Sequence, residues 1–180
     1  MDLTEKTTRR QSIYQGSIID VEVLDVQTPH GLAAKREVVH HAPAVAILAV
    51  NDQNQFVLER QWRTAVNGVT WEIPAGKLDD RDATQPLVAA KRELNEETRL
   101  QAGRWELINA SYPSVGFSDE VISLYLATQL APVAAELPQD RDEQIELTWV
   151  DLPTALTMVK TGEIQDMKTI MAIYYWASQN

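Results

Sequence analysis

The longest apolar run in the chain, residues 44–50, limits the folds that this sequence can adopt. A continuous apolar run that contains β-branched residues predicts a central buried strand. The run is far shorter than the ~20 apolar residues of a membrane-spanning helix. Residues 1–6 also lack the apolar segment of a signal peptide. We therefore expect a strand at the centre of a sheet, in a protein of the cytoplasm.

Strand patterns occupy the first third of the chain and return after one helix. A turn signal at residues 28–31 joins the first two patterns, which predicts a hairpin. The predicted strands are residues 17–26, 35–41, 44–50, 55–62, 69–73, 106–111, 121–127 and 146–150. The predicted helices are residues 86–100, 151–161 and 167–177. This order is typical of an α+β protein, or of an α/β/α sandwich with a mixed sheet, rather than of a repeated βαβ fold.

The chain is predicted to form one main domain with a small addition at its N-terminus. Its 180 residues fit one domain of ordinary size, and no segment has the composition of a linker. We assign residues 1–42 to an N-terminal subdomain with a small antiparallel sheet. Residues 43–180 are assigned to the main domain.

The charge of the chain narrows its expected partners. Asp and Glu number 26 against 16 Lys and Arg, which gives a net charge of -10. Proteins that bind nucleic acid or anionic membranes carry a basic surface, so neither partner is expected. The chain has no cysteine. This excludes disulfides, thiolate metal sites and a cysteine nucleophile.

Three glutamates share one side of the first predicted helix. Glu93, Glu96 and Glu97 are three or four residues apart, or adjacent, so their carboxylates repel one another. A hard divalent cation with oxygen ligands, Mg²⁺ or Mn²⁺, would relieve this repulsion. Arg92 is suited to orient one carboxylate through a bidentate pair, and the backbone carbonyl of Ala75 is suited to complete a metal shell. The alternative is an acidic helix face that is simply solvated.

The segment around this helix resembles the Nudix box, whose pattern is G-x5-E-x7-R-E-U-x-E-E-x-G-U, with U an aliphatic residue. The matching residues are Gly76, Arg92, Glu93, Leu94, Glu96, Glu97 and Leu100. Residues 71–78, WEIPAGKL, resemble the E-x-P-A-G-K signature of the ADP-ribose pyrophosphatases within that superfamily. Further blocks that resemble this subgroup lie in the expected order at residues 36–39, 60–63, 116–120, 125–127 and 162–169. The resemblance therefore covers nearly the whole chain.

The box departs from its pattern at three points. The loop between Gly76 and Arg92 is two residues longer, the first Glu is replaced, with Asp82 as its substitute, and the final Gly is Arg99. If Arg99 ends the helix in a left-handed conformation, the missing glycine costs roughly 1 kcal/mol. The metal carboxylates are unaffected, so we expect altered local stability rather than lost chemistry.

The resemblance implies a fold, a reaction and a cofactor. The fold is a Nudix-type α/β/α sandwich with a mixed sheet. The reaction is the hydrolysis of a nucleoside diphosphate linked to another group, here ADP-ribose to AMP and ribose 5-phosphate. The resemblance implies Mg²⁺ or Mn²⁺ held by the carbonyl of Ala75 and by Glu93, Glu96 and Glu97. Among these residues and their neighbours, Glu97 and Arg92 are the expected catalytic groups.

The resemblance also implies a catalytic base in a late acidic loop. Residues 138–145 match that loop, and Glu143 is the base that we favour, ahead of Asp142 and Glu120. The charge supports a cation-bound substrate: residues 77–97 and 136–146 together carry six of the ten excess negative charges. We therefore expect the diphosphate to bind only with its divalent ions.

Residues of four other segments are candidates for substrate recognition. The resemblance assigns substrate-binding roles to Arg36, Arg63, Glu72 and Glu120. Trp62 or Phe117 is a candidate to stack on the nucleotide base. The alternatives are ordinary surface ion pairs for the arginines and core positions for the two aromatic residues.

Relatives in the subgroup are homodimers, and the resemblance implies that residues 20–26 and 36–40 cross to the partner. Two other functions stay open at this point. One is a hydrolase of a different nucleotide sugar, such as GDP-mannose, which would keep the metal box. The other is a nucleotide-sensing module without catalysis, which would be free to lose Arg92 and the glutamates.

Overall fold

The structure is a computed structural model that describes residues 1–82, 84–139 and 143–179. The chain divides into two compact units. The first unit is Met1–Pro43 with Tyr112–Val121, and the second is Ala44–Ser111 with Ile122–Asn180. Tyr112–Val121 thus groups with the N-terminal residues, although the sequence interpretation places it in the main domain.

The first unit contains an antiparallel sheet of three strands. These are β1 (Lys6–Gln15), β2 (Ile19–Gln27) and β3 (Ala33–His41), in that order across the sheet. β2 and β3 form the predicted hairpin, and Gly31 in its turn has a φ of 81°. β1 is missing from the sequence prediction because all of its residues are exposed, so no apolar alternation marks it. Only its pairing with β2 reveals it.

The second unit holds two sheets and the three α-helices of the described residues. Its strands are β4 (Ala44–Ala49), β5 (Gln55–Arg63), β6 (Gly68–Glu72), β7 (Ala75–Lys77), β8 (Leu100–Ser111), β9 (Ile122–Pro132) and β10 (Glu146–Asp151). Its helices are α1 (Pro86–Thr98), α2 (Leu152–Thr161) and α3 (Met167–Gln179). None of the helices in the described residues is long and apolar enough to span a membrane.

The strand orders are β7-β4-β9-β8 in one sheet and β10-β5-β6 in the other. β4 and β9 run parallel, whereas the other neighbours in the first sheet run antiparallel, so that sheet is mixed. β5 pairs with β6 and β10 in antiparallel fashion. The predicted mixed sheet is therefore confirmed.

β4 is the central buried strand that the sequence predicts, since all of its residues are buried. Its side chains alternate between two cores. Ala46 and Leu48 pack in a cluster with residues of α2 and α3, whereas Val45 and Ile47 pack in a cluster with residues of α1. Helices thus cover both faces of the strand layer. This is the α/β/α sandwich expected of an α+β chain with a separate N-terminal antiparallel sheet.

Local signals define both ends of α2. Oδ1 of Asp151 accepts a hydrogen bond from the Thr154 amide at 2.9 Å, and Gly162 ends the helix with a φ of 80°. β7, in contrast, is an element that the sequence interpretation treats as a loop. Its three residues pair with β4, which fixes the backbone of Ala75 and Gly76 against the sheet.

Arg99 ends α1 in the left-handed conformation that the sequence suggests, with φ 62° and ψ 24°. Its amide donates to the carbonyl of Asn95 at 3.0 Å. Its guanidinium donates to the carbonyls of Asn95 and Leu137. These hydrogen bonds offset part of the conformational cost of a residue other than glycine at this position.

Two variants of Arg99 separate its backbone cost from its side-chain contacts. Arg99→Gly and Arg99→Ala both lose the guanidinium, but only glycine adopts the left-handed conformation without steric strain. We expect the glycine variant to be more stable than the alanine variant by about 1 kcal/mol, measured by urea denaturation. Equal stability of the two variants would contradict a left-handed helix end.

Candidate active site

The three glutamates of α1 lie in the interior of the second unit. Glu93, Glu96 and Glu97 are only 9%, 7% and 7% exposed. Burial of a carboxylate is costly unless a partner neutralises it. The alternative of a solvated acidic helix face is therefore wrong, and the fold has to provide partners for these groups.

Arg92 is the first of these partners. Its Nη1 donates to Oε1 of Glu93 at 2.7 Å and to Oε2 of Glu96 at 2.8 Å. Its Nε and Nη2 donate to the two oxygens of Asp82 at 2.9 and 2.7 Å, and Nη2 also donates to the carbonyl of Lys77 at 3.0 Å. The bidentate pair predicted for Arg92 is thus made with Asp82, which is fully buried, and not with a glutamate of the helix.

β7 brings the main chain against the same glutamates. A Cβ atom on Gly76 would lie 2.1 Å from the carboxyl carbon of Glu93, so a larger residue at this position would displace the Glu93 carboxylate. The amide of Ala75 donates to Oε2 of Glu97 at 3.1 Å. The structure therefore places Ala75, Glu93, Glu96 and Glu97, the four predicted metal ligands, in one region.

Repulsion among the buried carboxylates is only partly compensated. Burial raises the pKa of Glu93 to about 7, and the charge of Glu143 contributes to the increase. Burial also raises the pKa of Glu97, and the carboxylates of Glu59, Glu93 and Glu143 raise it further. Glu143, the predicted base, therefore lies within electrostatic reach of two of the predicted ligands. A cluster whose charged form is disfavoured in this way favours binding of a cation.

A second charged cluster is built on β5, β6 and α3. Nε and Nη2 of Arg63 donate to the two oxygens of Glu72 at 2.7 and 2.9 Å, and the hydroxyl of Thr70 donates to Oε1 at 2.6 Å. Lys168 donates to Oε2 of the same carboxylate. Burial opposes ionisation of Glu72, but Arg63, Lys168 and Thr70 together lower its pKa to about 2. Two of the predicted substrate-binding residues, Arg63 and Glu72, are thus joined in one ion pair.

Sequence reasoning misses two residues of these clusters. Lys168 lies in a block that resembles the family pattern, but its partner Glu72 is 96 positions away in the chain. Glu59 on β5 lies opposite Glu72 on β6 in the strand register, and it is 1% exposed. The available signal for Glu59 was a charged residue at the end of the apolar run 56–58.

Other predicted residues lie outside the two clusters. Arg36 and Glu120 belong to the first unit, and their substrate-binding roles stay predictions. Trp62 and Phe117 are both more than half exposed, so the alternative of core positions is wrong. Asp142, the second candidate for the base, lies outside the described residues.

The donors of the α1 cluster fit a hard divalent cation. They are carboxylate and backbone oxygens, which Mg²⁺ and Mn²⁺ prefer, and Gly76 leaves room for Glu93 beside them. Oε1 of Glu59 is buried and has no hydrogen-bond partner in the part of the chain that the structure describes. Within that same part, no three acidic or histidine side chains already enclose a metal position. The cation would therefore have to draw these side chains closer together.

The pair of Arg92 and Asp82 is expected to stabilise the fold as well as the site. Arg92 lowers the pKa of Asp82, so that the buried carboxylate is charged. We expect Asp82→Asn to lower the free energy of unfolding by about 2–3 kcal/mol, because it removes the buried charge that accepts two hydrogen bonds from the Arg92 guanidinium. Asp79→Asn, at a more exposed acid of the same loop, is the control and should change it by less than about 1 kcal/mol. Equal effects in urea denaturation would contradict this role.

Comparison with known proteins finds the family that the sequence resembles, and the match covers most of the chain. The model of the NUDIX domain matches residues 40–172. The chain is 41% identical over 173 residues to the ADP-ribose pyrophosphatase of Bacillus subtilis (strain 168), and the match covers 96% of this chain and 92% of that protein. It is 37% identical over 171 residues to the methanol dehydrogenase activator of Bacillus methanolicus, with 95% and 91% covered.

The likeness extends to a solved structure described as an ADP compounds hydrolase. The TM-score is 0.85 at 17% sequence identity, and the match covers 99% of this chain and 95% of that chain. At this identity the likeness shows the fold, and it agrees with the predicted sandwich. The family model and the curated relatives show more: the chain belongs to the Nudix family.

Proposed function

We propose that this Nudix protein is a divalent-cation-dependent diphosphatase that hydrolyses ADP-ribose to AMP and ribose 5-phosphate. The observation that carries the proposal is the buried set of glutamates on α1, which packs against a glycine of β7 and is only partly neutralised. The Bacillus subtilis relative, which matches nearly the whole chain, supports ADP-ribose as the substrate.

Glu93, Glu97 and the carbonyl of Ala75 are the proposed direct ligands of the cation. Two contacts support this choice: Glu93 fills the space above Gly76, and Glu97 already contacts the amide of Ala75. A bound Mg²⁺ or Mn²⁺ would neutralise charge on the diphosphate and make the attacked phosphorus more electrophilic. The oxygen-only donor set supports these two ions over Zn²⁺.

Glu96 and Arg92 are proposed to position the ligands. Oε1 of Glu96 accepts from Arg81 at 2.9 Å and Oε2 accepts from Arg92, so both of its oxygens are engaged. Arg92 has only 9% of its side chain exposed and holds Glu93 through the same nitrogen. We therefore favour Glu96 as a further or indirect ligand and Arg92 as a residue that orients Glu93.

Glu143 is the proposed general base. Support comes from its half-buried position and from its effect on the pKa values of Glu93 and Glu97, which requires that it lie near them. In the proposed step Glu143 accepts a proton from water while the water oxygen attacks one phosphorus. The bond from that phosphorus to the bridging oxygen breaks, and AMP and ribose 5-phosphate are released.

Arg63 and Glu72 are proposed to recognise the nucleoside part of the substrate. The pKa of Glu72 near 2 keeps it ionised. A hydrogen bond from the adenine amino group or from a ribose hydroxyl would share its oxygens with Arg63, Thr70 and Lys168. Arg36 and Glu120 are proposed as further substrate-binding residues on the resemblance alone. The homodimer and the cytoplasmic location also stay predictions from the sequence.

A panel of nucleoside diphosphate sugars tests the substrate. We expect ADP-ribose to give the highest kcat/KM with Mg²⁺, and EDTA to abolish AMP release measured by chromatography. Glu97→Gln should lose activity on the order of 100-fold or more. A preference for GDP-mannose would make the ADP-ribose assignment wrong. Hydrolysis of no compound in the panel would instead favour the non-catalytic sensing module.

The base is tested by a pair of variants three residues apart. Glu143→Gln keeps the shape of the side chain but removes its proton-accepting charge, so kcat should fall by roughly 10²–10⁴-fold while Mn²⁺ affinity changes little. Glu146→Gln, at an exposed acid that pairs with Arg60, is the matched control and should keep wild-type kcat. If Glu143→Gln turns over at the wild-type rate, another group is the base.

A further inference from the structure

Glu59 is a buried acid that lies outside the motif that defines the family. It is 1% exposed, in the middle of β5, and it shares a strand face with Val57. Val57 packs in the same cluster as the apolar residues of α1. Glu59 therefore points toward the layer that carries the glutamates of the α1 cluster.

The surroundings of Glu59 differ from those of Glu72, its neighbour across the sheet. Glu72, directly opposite in the sheet, is neutralised by Arg63 and Lys168. Glu59 instead contacts the carboxyl group of Glu97. Two carboxyl groups in contact need either a shared proton or a cation between them.

These contacts leave one carboxylate oxygen of Glu59 without a hydrogen bond. Oε1 has no hydrogen-bond partner among residues 1–82, 84–139 and 143–179. A buried acceptor without a partner has lost its hydrogen bonds to water without replacement, which destabilises the fold, most of all when the group is charged. A cation bound beside Glu97 would supply the interaction that Oε1 of Glu59 lacks.

We propose that Glu59 is an additional oxygen ligand of the divalent cation, contributed by the sheet opposite the glutamates of α1. This inference rests on the proposed function only in that both place a divalent cation at Glu97. It adds a carboxylate from β5 to a ligand set that the sequence pattern draws from α1 and β7. The ion would then be held from both layers of the sandwich, and the orphaned oxygen would have its partner.

Glu59→Gln distinguishes a ligand from a hydrogen-bond partner. If Glu59 only accepts a hydrogen bond from protonated Glu97, the glutamine amide oxygen can replace it and Mn²⁺ affinity will stay within twofold of wild type. If Glu59 is a ligand, loss of its charge should weaken Mn²⁺ binding roughly tenfold or more. Free Mn²⁺ is counted by electron paramagnetic resonance on the full chain without nucleotide. Glu106→Gln, at a partly exposed acid of β8, is the control and should keep wild-type affinity.

A second measurement covers the case in which Glu59→Gln does not fold. Crystals of the wild-type protein soaked in Mn²⁺ should show an anomalous peak within bonding distance of Oε1 of Glu59. A peak that is bound by the α1 glutamates but not by Glu59 would overturn the inference.

The two proposals fail separately. If Mn²⁺ binding depends on Glu59 but ADP-ribose is not hydrolysed, the ligand assignment stands and the proposed function is wrong. If ADP-ribose is hydrolysed and Mn²⁺ affinity is unchanged in Glu59→Gln, the function stands and Glu59 is not a ligand.

Discussion

The concentration of carboxylates inside one unit is the constraint that the rest of the site has to satisfy. Glu93, Glu96 and Glu97 are buried on one helix, and each negative charge taken from water needs compensation. Arg92 compensates two of them and also holds Asp82. Arg92 does not pair with Glu97, and this is where the proposed cation would bind.

The fold meets this constraint through its layers. β4 is apolar on both faces, so it anchors the sheet independently of any charge. β7 pairs with that strand and presents a backbone without a side chain at Gly76, where Glu93 makes its closest approach. The apolar centre thus provides the rigidity, and the charged groups are positioned on its edges. This arrangement limits how far the carboxylates can move apart to relieve their repulsion.

The sequence predicts those parts of the structure that local patterns determine. The apolar run at β4, the capped ends of α2 and the helical spacing of Glu93, Glu96 and Glu97 all depend on neighbours in the chain. Long-range contacts decide the rest. β1 is recognisable only through its pairing with β2, and the partners of Arg92 are known only once its loop is folded. The burial of the glutamates likewise depends on packing, since their spacing fits a solvated helix equally well.

Because local patterns do not predict long-range contacts, they also do not identify two charged residues of the site. Lys168 is an ordinary lysine near the start of α3 until the fold brings it to Glu72. Glu59 follows the apolar run 56–58 and is the last of four consecutive buried residues in β5. That apolar run indicates a buried strand, but it does not show which partners surround the Glu59 carboxylate. The Nudix pattern, by contrast, carries information on contacts that local physics cannot supply.

The pairing of β5 with β6 limits which insertions the chain can tolerate between these strands. Glu59 and Glu72 face each other because the register of this hairpin is fixed, and side chains alternate between faces with every residue. A shift of one residue in β6 would turn Glu72 to the opposite face, away from Arg63, and would place Trp71 or Ile73 beside Glu59. An insertion in the turn between β5 and β6 therefore preserves these contacts only if the added residues bulge outward and leave the strand register unchanged. The length of the connection at residues 64–67 therefore determines that Glu59 lies opposite Glu72.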